Sequence, residues 1–307
     1  MRNRIQSLLG VRYPVVQAPM TYIARAELAA AVSEGGGMGM IETLTAEGRA
    51  DLGRVRELTD RPVAANLMIQ GWKKDPSIVD VLAAARVRHV FTSAGDPAIF
   101  TARLHDAGMA VVHVVGSLKG ALKAADAGVD ALVVEGVEGG GFKSMLGAST
   151  MVLLPLISER IDLPLLAAGG ICDARSAAAA LVLGAEGVQM GTRMLASQEA
   201  AVHPNFKNAI VAANDDGTLL LNLPGNPTMR VLRTGMAARL ATADPDAPVL
   251  GGVTRLYFDG DMDASVANTG QVSSRITDLL PVSEIVRRTW CEIEAALDGA
   301  RARADRR

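Results

Sequence analysis

Eight short runs rich in Val, Ile, Leu, Met and Ala punctuate residues 14–191, and helix-length amphipathic segments separate them. Strands covered by helices on both faces read as unbroken apolar runs, so the alternation predicts a parallel α/β architecture. The candidate strands are 15–18, 37–41, 63–66, 89–93, 110–115, 131–135, 165–168 and 188–191. Between them, helices are expected over 25–33, 46–58, 77–84, 97–107, 117–127 and 149–160, with an Ala-rich helix running from Asp173 to Leu183. Each begins near Ser, Thr, Asp or Pro, and several stop at glycine, as at Gly108, Gly128 and Gly184. Eight strands favour a closed (β/α)8 TIM barrel over an open sheet.

After Gly191 the rhythm breaks. Pro204, Pro224, Pro227, Pro245 and Pro248 fall among short helical pieces, which reads as a small, mainly helical excursion rather than another strand and helix. The predicted organisation is a barrel over 1–194 and 271–299, a lid-like substrate excursion over 195–270, and a flexible tail over 300–307. The closing helical segment, 271–297, is interrupted at Pro281.

Two glycine turns end the last two strands: Gly169-Gly170 after LLAA, and Gly191-Thr192 after GVQM. Without a Cβ, glycine lets backbone N–H groups approach an anion. Turns after strands seven and eight form the usual phosphate site of a (β/α)8 barrel. The pair therefore predicts a phosphate-bearing ligand.

The 307 residues, 49% of them apolar, suffice for one barrel and its core. A formal charge of -2 with both signs dispersed offers no basic stripe, so a small-molecule substrate is expected and no nucleic acid. The first ten residues lack a secretory apolar run and no stretch is long enough to cross a membrane, which points to the cytoplasm and to no membrane partner. A homodimer is one assembly open to such a chain. Cys172 and Cys291 match no metal spacing, and Cys172 reads as a small buried side chain.

Chemistry in a barrel belongs at the C-terminal strand ends. Here these carry Gln17-Ala18-Pro19-Met20-Thr21-Tyr22, Asn66, His113, Lys119 a little beyond, and Glu135 leading into Glu138-Gly139-Gly140-Gly141-Phe142-Lys143. No His, Asp and Glu cluster suggests a metal, and no Ser-His-Asp set or carboxylate pair stands out. A mouth so poor in reactive groups points to a borrowed reagent, a cofactor.

QAPM at 17–20, Asn66, EGVEGGG at 135–141, AAGGI at 167–171 and VQMGTRM at 188–194 together resemble the nitronate monooxygenase family, once called 2-nitropropane dioxygenase. Its relatives include flavin-dependent enoyl-acyl carrier protein reductases and NADH:quinone reductases. The likeness covers nearly the whole chain in order, including 198–212 and Gly270-Gln271. The resemblance implies a (β/α)8 fold and non-covalent FMN. Ala18, Pro19 and Met20 would lie against the ring, Asn66 at its polar edge, and Glu135 among the surrounding contacts. Gly169, Gly170, Gly191 and Thr192 would hold the phosphate. Lys119 would approach the pyrimidine end unless it is a solvated helix-start lysine, and Gln189 would add a contact unless it bonds a neighbour inside the barrel.

One position departs from the pattern. Where the family carries a catalytic histidine after the strand-six glycines, this chain has Phe142, which shapes a pocket but moves no proton. Lys143, His113, Tyr22 and the neighbouring Thr21 are the candidate proton donors. Lys143 could equally be solvated on its loop, and His113 a bonded core histidine. His203 could cap the site from the excursion, whereas His89 and His105 fall at the wrong end or outside. The leading expectation is an FMN-dependent oxidoreductase that oxidises alkyl nitronates with O2. The alternative is an NAD(P)H-dependent reductase of an enoyl thioester or quinone on the same FMN. A non-redox phosphate-binding barrel and a flavoprotein without catalysis complete the readings.

Overall fold

The computed structural model describes residues 3–223, 227–242 and 251–305. Eight parallel strands form the barrel: β1 (Val15–Gln17), β2 (Gly39–Glu42), β3 (Val63–Met68), β4 (His89–Ser93), β5 (Ala110–Val115), β6 (Ala131–Glu135), β8 (Leu165–Ala168) and β9 (Gly187–Met190). They are ordered β1-β9-β8-β6-β5-β4-β3-β2. A parallel bridge between Val16 and Met38 closes the ring from β1 to β2. Four of the eight expected strands coincide with the observed ones and the rest differ at their ends.

The strands sort their side chains by parity. Val16, Met40, Ala64, Phe91, Val112, Val133, Leu166 and Ala168 meet inside the barrel, where Ile5 and Leu9 of the helix Arg4–Leu9 join them. That helix plugs the N-terminal end: His89, the first residue of β4, contacts the Leu8 carbonyl oxygen at 3.0 Å. Residues of the opposite parity, such as Val111 and Val115, pack outward against the helices. Burying both faces is what made these strands read as continuous apolar runs.

The excursion departs in one respect from the sequence expectation. Beside the helices Pro204–Val211 and Gly235–Thr242 and the π-helix Arg255–Asp259, it contains two strands, β10 (Thr218–Leu221) and β11 (Met229–Leu232). These pair antiparallel with each other, and β11 pairs with the two-residue β7 (Gly141–Phe142) of the loop after β6. Runs of four residues beside Pro227 gave too little periodicity to reveal them. Of the prolines that marked the excursion, Pro224, Pro245 and Pro248 lie outside the described residues. At the other end the helix Ile293–Ala304 extends through the expected tail: residues 300–304 are helical and exposed, and 306–307 lie outside the described residues.

Candidate flavin site at the barrel mouth

The ends of β1, β6, β8 and β9 meet around the two glycine turns. The Ala18 amide donates to the Met190 carbonyl at 2.9 Å, which lays Ala18-Pro19-Met20 beside β9. A Cβ on Gly191 would stand 3.5 Å from that of Ala18, so the two backbones run close together. Gly169 and Gly170 have φ of +82° and +79°, a left-handed pair that glycine adopts freely. A Cβ on Gly169 would lie 2.9 Å from the Gly136 carbonyl oxygen, so the turn is also closed from the side of β6. The Thr150 hydroxyl, 2.8 Å from the Gly169 carbonyl oxygen, holds that peptide in place. Among the described residues, the N–H groups of Gly169, Gly170, Gly191 and Thr192 have no protein acceptor. Free amides on adjacent turns are what a phosphate requires, and the cradle fits one.

The inward-facing layer at the top of the barrel is polar. Gln189 stands in register between Val16 on β1 and Ala168 on β8, and its buried Oε1 makes no hydrogen bond. Asn66, paired with the inward Phe91, donates from Nδ2 to the Phe91 carbonyl at 2.8 Å and to Ser93 Oγ at 3.3 Å. Its Oδ1 stays available. An orphaned acceptor over an apolar core fits a polar ring edge brought by a ligand. Lys119, in the first turn of the helix Leu118–Asp126, is exposed.

The candidate proton donors separate. His113 faces outward: it is paired with Thr92, shares parity with Val111 and Val115, and its Nδ1 is 2.8 Å from Thr92 Oγ1. Burial lowers its pKa to about 4, with Asp96 opposing, so it is a neutral core histidine pointing away from the mouth. His203 is occupied as well: its backbone N–H donates to the Tyr257 carbonyl at 2.7 Å, and its Nδ1 caps the helix Pro204–Val211. His105 pairs with Asp130 on the surface.

Lys143 is not the solvated loop lysine that its neighbours suggested. Its side chain is 2% exposed and its Nζ lies 2.6 Å from Glu135, whose side chain is 28% exposed. Tyr22, with φ of +69°, occupies the tight turn that the Ile23 and Ala24 amides close onto the Met20 carbonyl, at 3.0 and 2.8 Å. A left-handed tyrosine is strained, and such strain collects at functional sites. Tyr22 also lies near Tyr257, a phenol whose pKa burial raises, on the π-helix. Phe142 is 46% exposed on β7, ahead of the exposed Met145, Leu146, Met151 and Val152.

Sequence reasoning missed Arg230. It is a buried cation on β11, whose Nε donates to the Val137 carbonyl at 2.8 Å and whose guanidinium interacts with the charge of Glu138. A lone arginine in the apolar MRVL run was its only trace. Glu138 accepts from the Thr150 amide at 3.0 Å, next to the Gly170 turn. Among the described residues no His, Cys, Asp and Glu group could hold a metal. A cleft of about 300 Å³ bordered by Arg4, Arg160 and Asp162 lies at the N-terminal rim, where such barrels hold structure rather than chemistry.

Comparison with known proteins agrees with this geometry. A family model described as nitronate monooxygenase matches residues 2–78 and 71–291. The chain is 35% identical over 244 residues, 78% of its length and 68% of the relative's, to a Rhodococcus jostii (strain RHA1) protein named (3aS,4S,5R,7aS)-5-hydroxy-7a-methyl-1-oxo-octahydro-1H-indene-4-carboxyl-CoA dehydrogenase. It is 28% identical to a Pseudomonas aeruginosa nitronate monooxygenase, covering 94% of this chain and 98% of that one. The solved structure of FabK from Thermotoga maritima superposes with a TM-score of 0.91 at 33% identity, over 98% of this chain and 99% of that one. A nitroalkane oxidase from Streptomyces ansochromogenes gives 0.81 at 26%, covering 97% and 100%. With a family match across most of its length and a (β/α)8 barrel shared with FabK and nitroalkane oxidase, the chain belongs to the nitronate monooxygenase family of flavin-dependent oxidoreductases.

Proposed function

We propose that the chain is an FMN-dependent oxidoreductase acting on an α,β-unsaturated acyl thioester, with NADH or NADPH as the source of electrons. The observation that carries this reading is the rim beside β7. By its resemblance to the family, the chain has Phe142 where a catalytic imidazole is expected, and exposed Met145, Leu146, Met151 and Val152 follow it. Such a rim suits an extended apolar substrate and lacks the base that deprotonation of a neutral nitroalkane requires. The CoA-type name of the Rhodococcus relative supports the same direction.

Bound FMN would supply hydride transfer between nicotinamide and substrate. The free amides of Gly169, Gly170, Gly191 and Thr192 would hold its phosphate. Ala18-Pro19-Met20 would support its ring, and Gln189 and Asn66 would meet the polar edges. Tyr22, fixed in its strained turn, would hold a proton at its phenol oxygen for the substrate. The excursion would exclude water, with β11 fastened to β7 across the mouth. Among the described residues no helix is long and apolar enough to cross a membrane, in keeping with a cytoplasmic enzyme of small molecules.

Oxidation of alkyl nitronates by O2 is the second reading, favoured by the family match, because a nitronate is already an anion and needs no base. Anaerobic mixing with NADPH or NADH separates the two. Rapid bleaching of bound flavin, followed by recolouring with an enoyl-CoA, supports the thioester reading. Oxygen uptake with a nitronate, without nicotinamide and without such bleaching, overturns it.

A further inference from the structure

The end of β6 and the loop after it carry two glutamates, Glu135 and Glu138, over the cradle, a poor arrangement for an anionic cofactor unless cations answer them. Glu135 ends β6 in register with the inward-facing Ala168, so its carboxylate belongs to the barrel mouth. Its answering charge comes from Lys143, eight residues on, with Nζ at 2.6 Å. The contact is ionic without hydrogen-bond alignment: the buried ammonium has no hydrogen-bond partner.

Two backbone features and the exposure of the side chains define this pair. The Lys143 amide donates to the Thr228 carbonyl at 2.8 Å, next to the pairing of Phe142 with Met229, so the lysine enters from a fastened strand. A Cβ on Gly139 would lie 2.6 Å from the Glu135 carboxylate and 2.7 Å from the Lys143 ammonium, so the loop backbone passes directly against the pair. The mouth reaches the pair through Glu135, because Lys143 is sealed below it. A lysine buried on one carboxylate costs several kcal/mol in desolvation and is poor evidence of stability for its own sake.

We propose that Lys143 is a charge-compensating positioning residue: acting through Glu135, it allows a carboxylate to stand in the mouth beside an anionic cofactor. The inference rests on the FMN reading. At the phosphate end Arg230, held by the Val137 carbonyl, brings a second buried cation whose charge interacts with that of Glu138 without an ion-pair contact. Of the described elements packed beside the pair, β8 and the helix Thr150–Ser158 carry no ionisable side chain, and the one on β5, His113, faces outward.

The test is FMN affinity of the apoprotein, read by quenching of flavin fluorescence in wild type, Lys143→Met, Glu135→Gln and the double variant, with thermal melting of each apoprotein alongside. Removing the cation exposes FMN to an uncompensated carboxylate, so Lys143→Met is expected to raise the Kd about tenfold or more. Glu135→Gln leaves an uncompensated cation and is expected to bind FMN at least as tightly as wild type. The double variant is expected to return to within about threefold of wild type. A structural pair predicts the opposite pattern, in which both single variants weaken binding; weaker binding by Glu135→Gln, or unchanged binding by Lys143→Met, overturns the proposal. Should Lys143→Met fail to fold, Glu135→Gln decides by its sign alone. Failure of the wild-type protein itself to take up FMN sinks the cofactor reading instead, a separate outcome.

Discussion

The Gly270 amide donates to Thr192 Oγ1 at 2.8 Å, joining the return of the excursion to the turn after β9. The bond uses the hydroxyl as an acceptor and leaves its proton free to donate to an anion, so one side chain serves the lid and the cradle. Thr192→Val keeps the shape and leaves the Gly270 N–H buried without a partner, a cost of about 1–3 kcal/mol. The expected result is a fall in Tm of roughly 2–6 °C together with loss of FMN on gel filtration, whereas Thr192→Ser retains both. A variant that melts as wild type would show that the excursion is held elsewhere.

Gly169 and Gly108 share a left-handed backbone, with φ of +82° and +77°, but differ in surroundings. A Cβ at Gly108 meets open space; at Gly169 it would press on the Gly136 carbonyl at 2.9 Å and the Gly139 amide at 3.1 Å. Gly108→Ala should therefore cost only the conformational penalty, about 1 kcal/mol, and keep FMN. Gly169→Ala should add a clash with the strand-six loop and abolish FMN retention. Flavin content per protein after purification reads the difference.

His113 provides a pH test. Burial lowers its folded pKa to about 4 from the usual 6.5, so the folded state takes up its proton less readily than the unfolded chain. Its contribution to stability is complete above pH 6.5 and is lost as pH falls toward 4, by up to roughly 3 kcal/mol. Urea midpoints for wild type and His113→Gln should converge over that window. Because the ring lies on the outer face of β5, the pH profile of flavin reduction by nicotinamide should not change. A shifted profile would return His113 to the candidate proton donors.

Much of this was legible because parallel strands announce themselves by composition: β4, β5, β6 and β8 were bounded correctly as apolar runs closed by helix signals. The cradle was legible for a related reason, since Gly169-Gly170 and Gly191-Thr192 can be read as backbone needs without knowing side-chain direction. Direction is what the chain hides. His113 lies in VVHVV, which is apolar on both faces, so nothing in it said whether the ring turns toward the mouth or the helices. Lys143 looked like a loop cation because its partner, Glu135, and the gap left by Gly139 become neighbours only when the loop folds back. Arg230 needed the pairing of β11 with β7, a long-range contact with no local signal.

Gln189 separates what helps the apoprotein from what helps the bound state. Its Oε1 is buried between Val16 and Ala168 with no hydrogen bond, and turning the amide over would only bury a donor in its place. An unsatisfied group in an apolar layer costs about 1–3 kcal/mol, so Gln189→Leu, close in volume, should leave the apoprotein as stable as wild type or more so by about 1 kcal/mol. The same change removes the acceptor offered to the cofactor and should weaken FMN about tenfold. The two effects have opposite signs, which general damage to the barrel would not produce. Melting of the apoprotein and fluorescence titration with FMN, run side by side, measure both. A destabilised apoprotein with unchanged FMN affinity would make Gln189 a structural residue whose partner is a buried water.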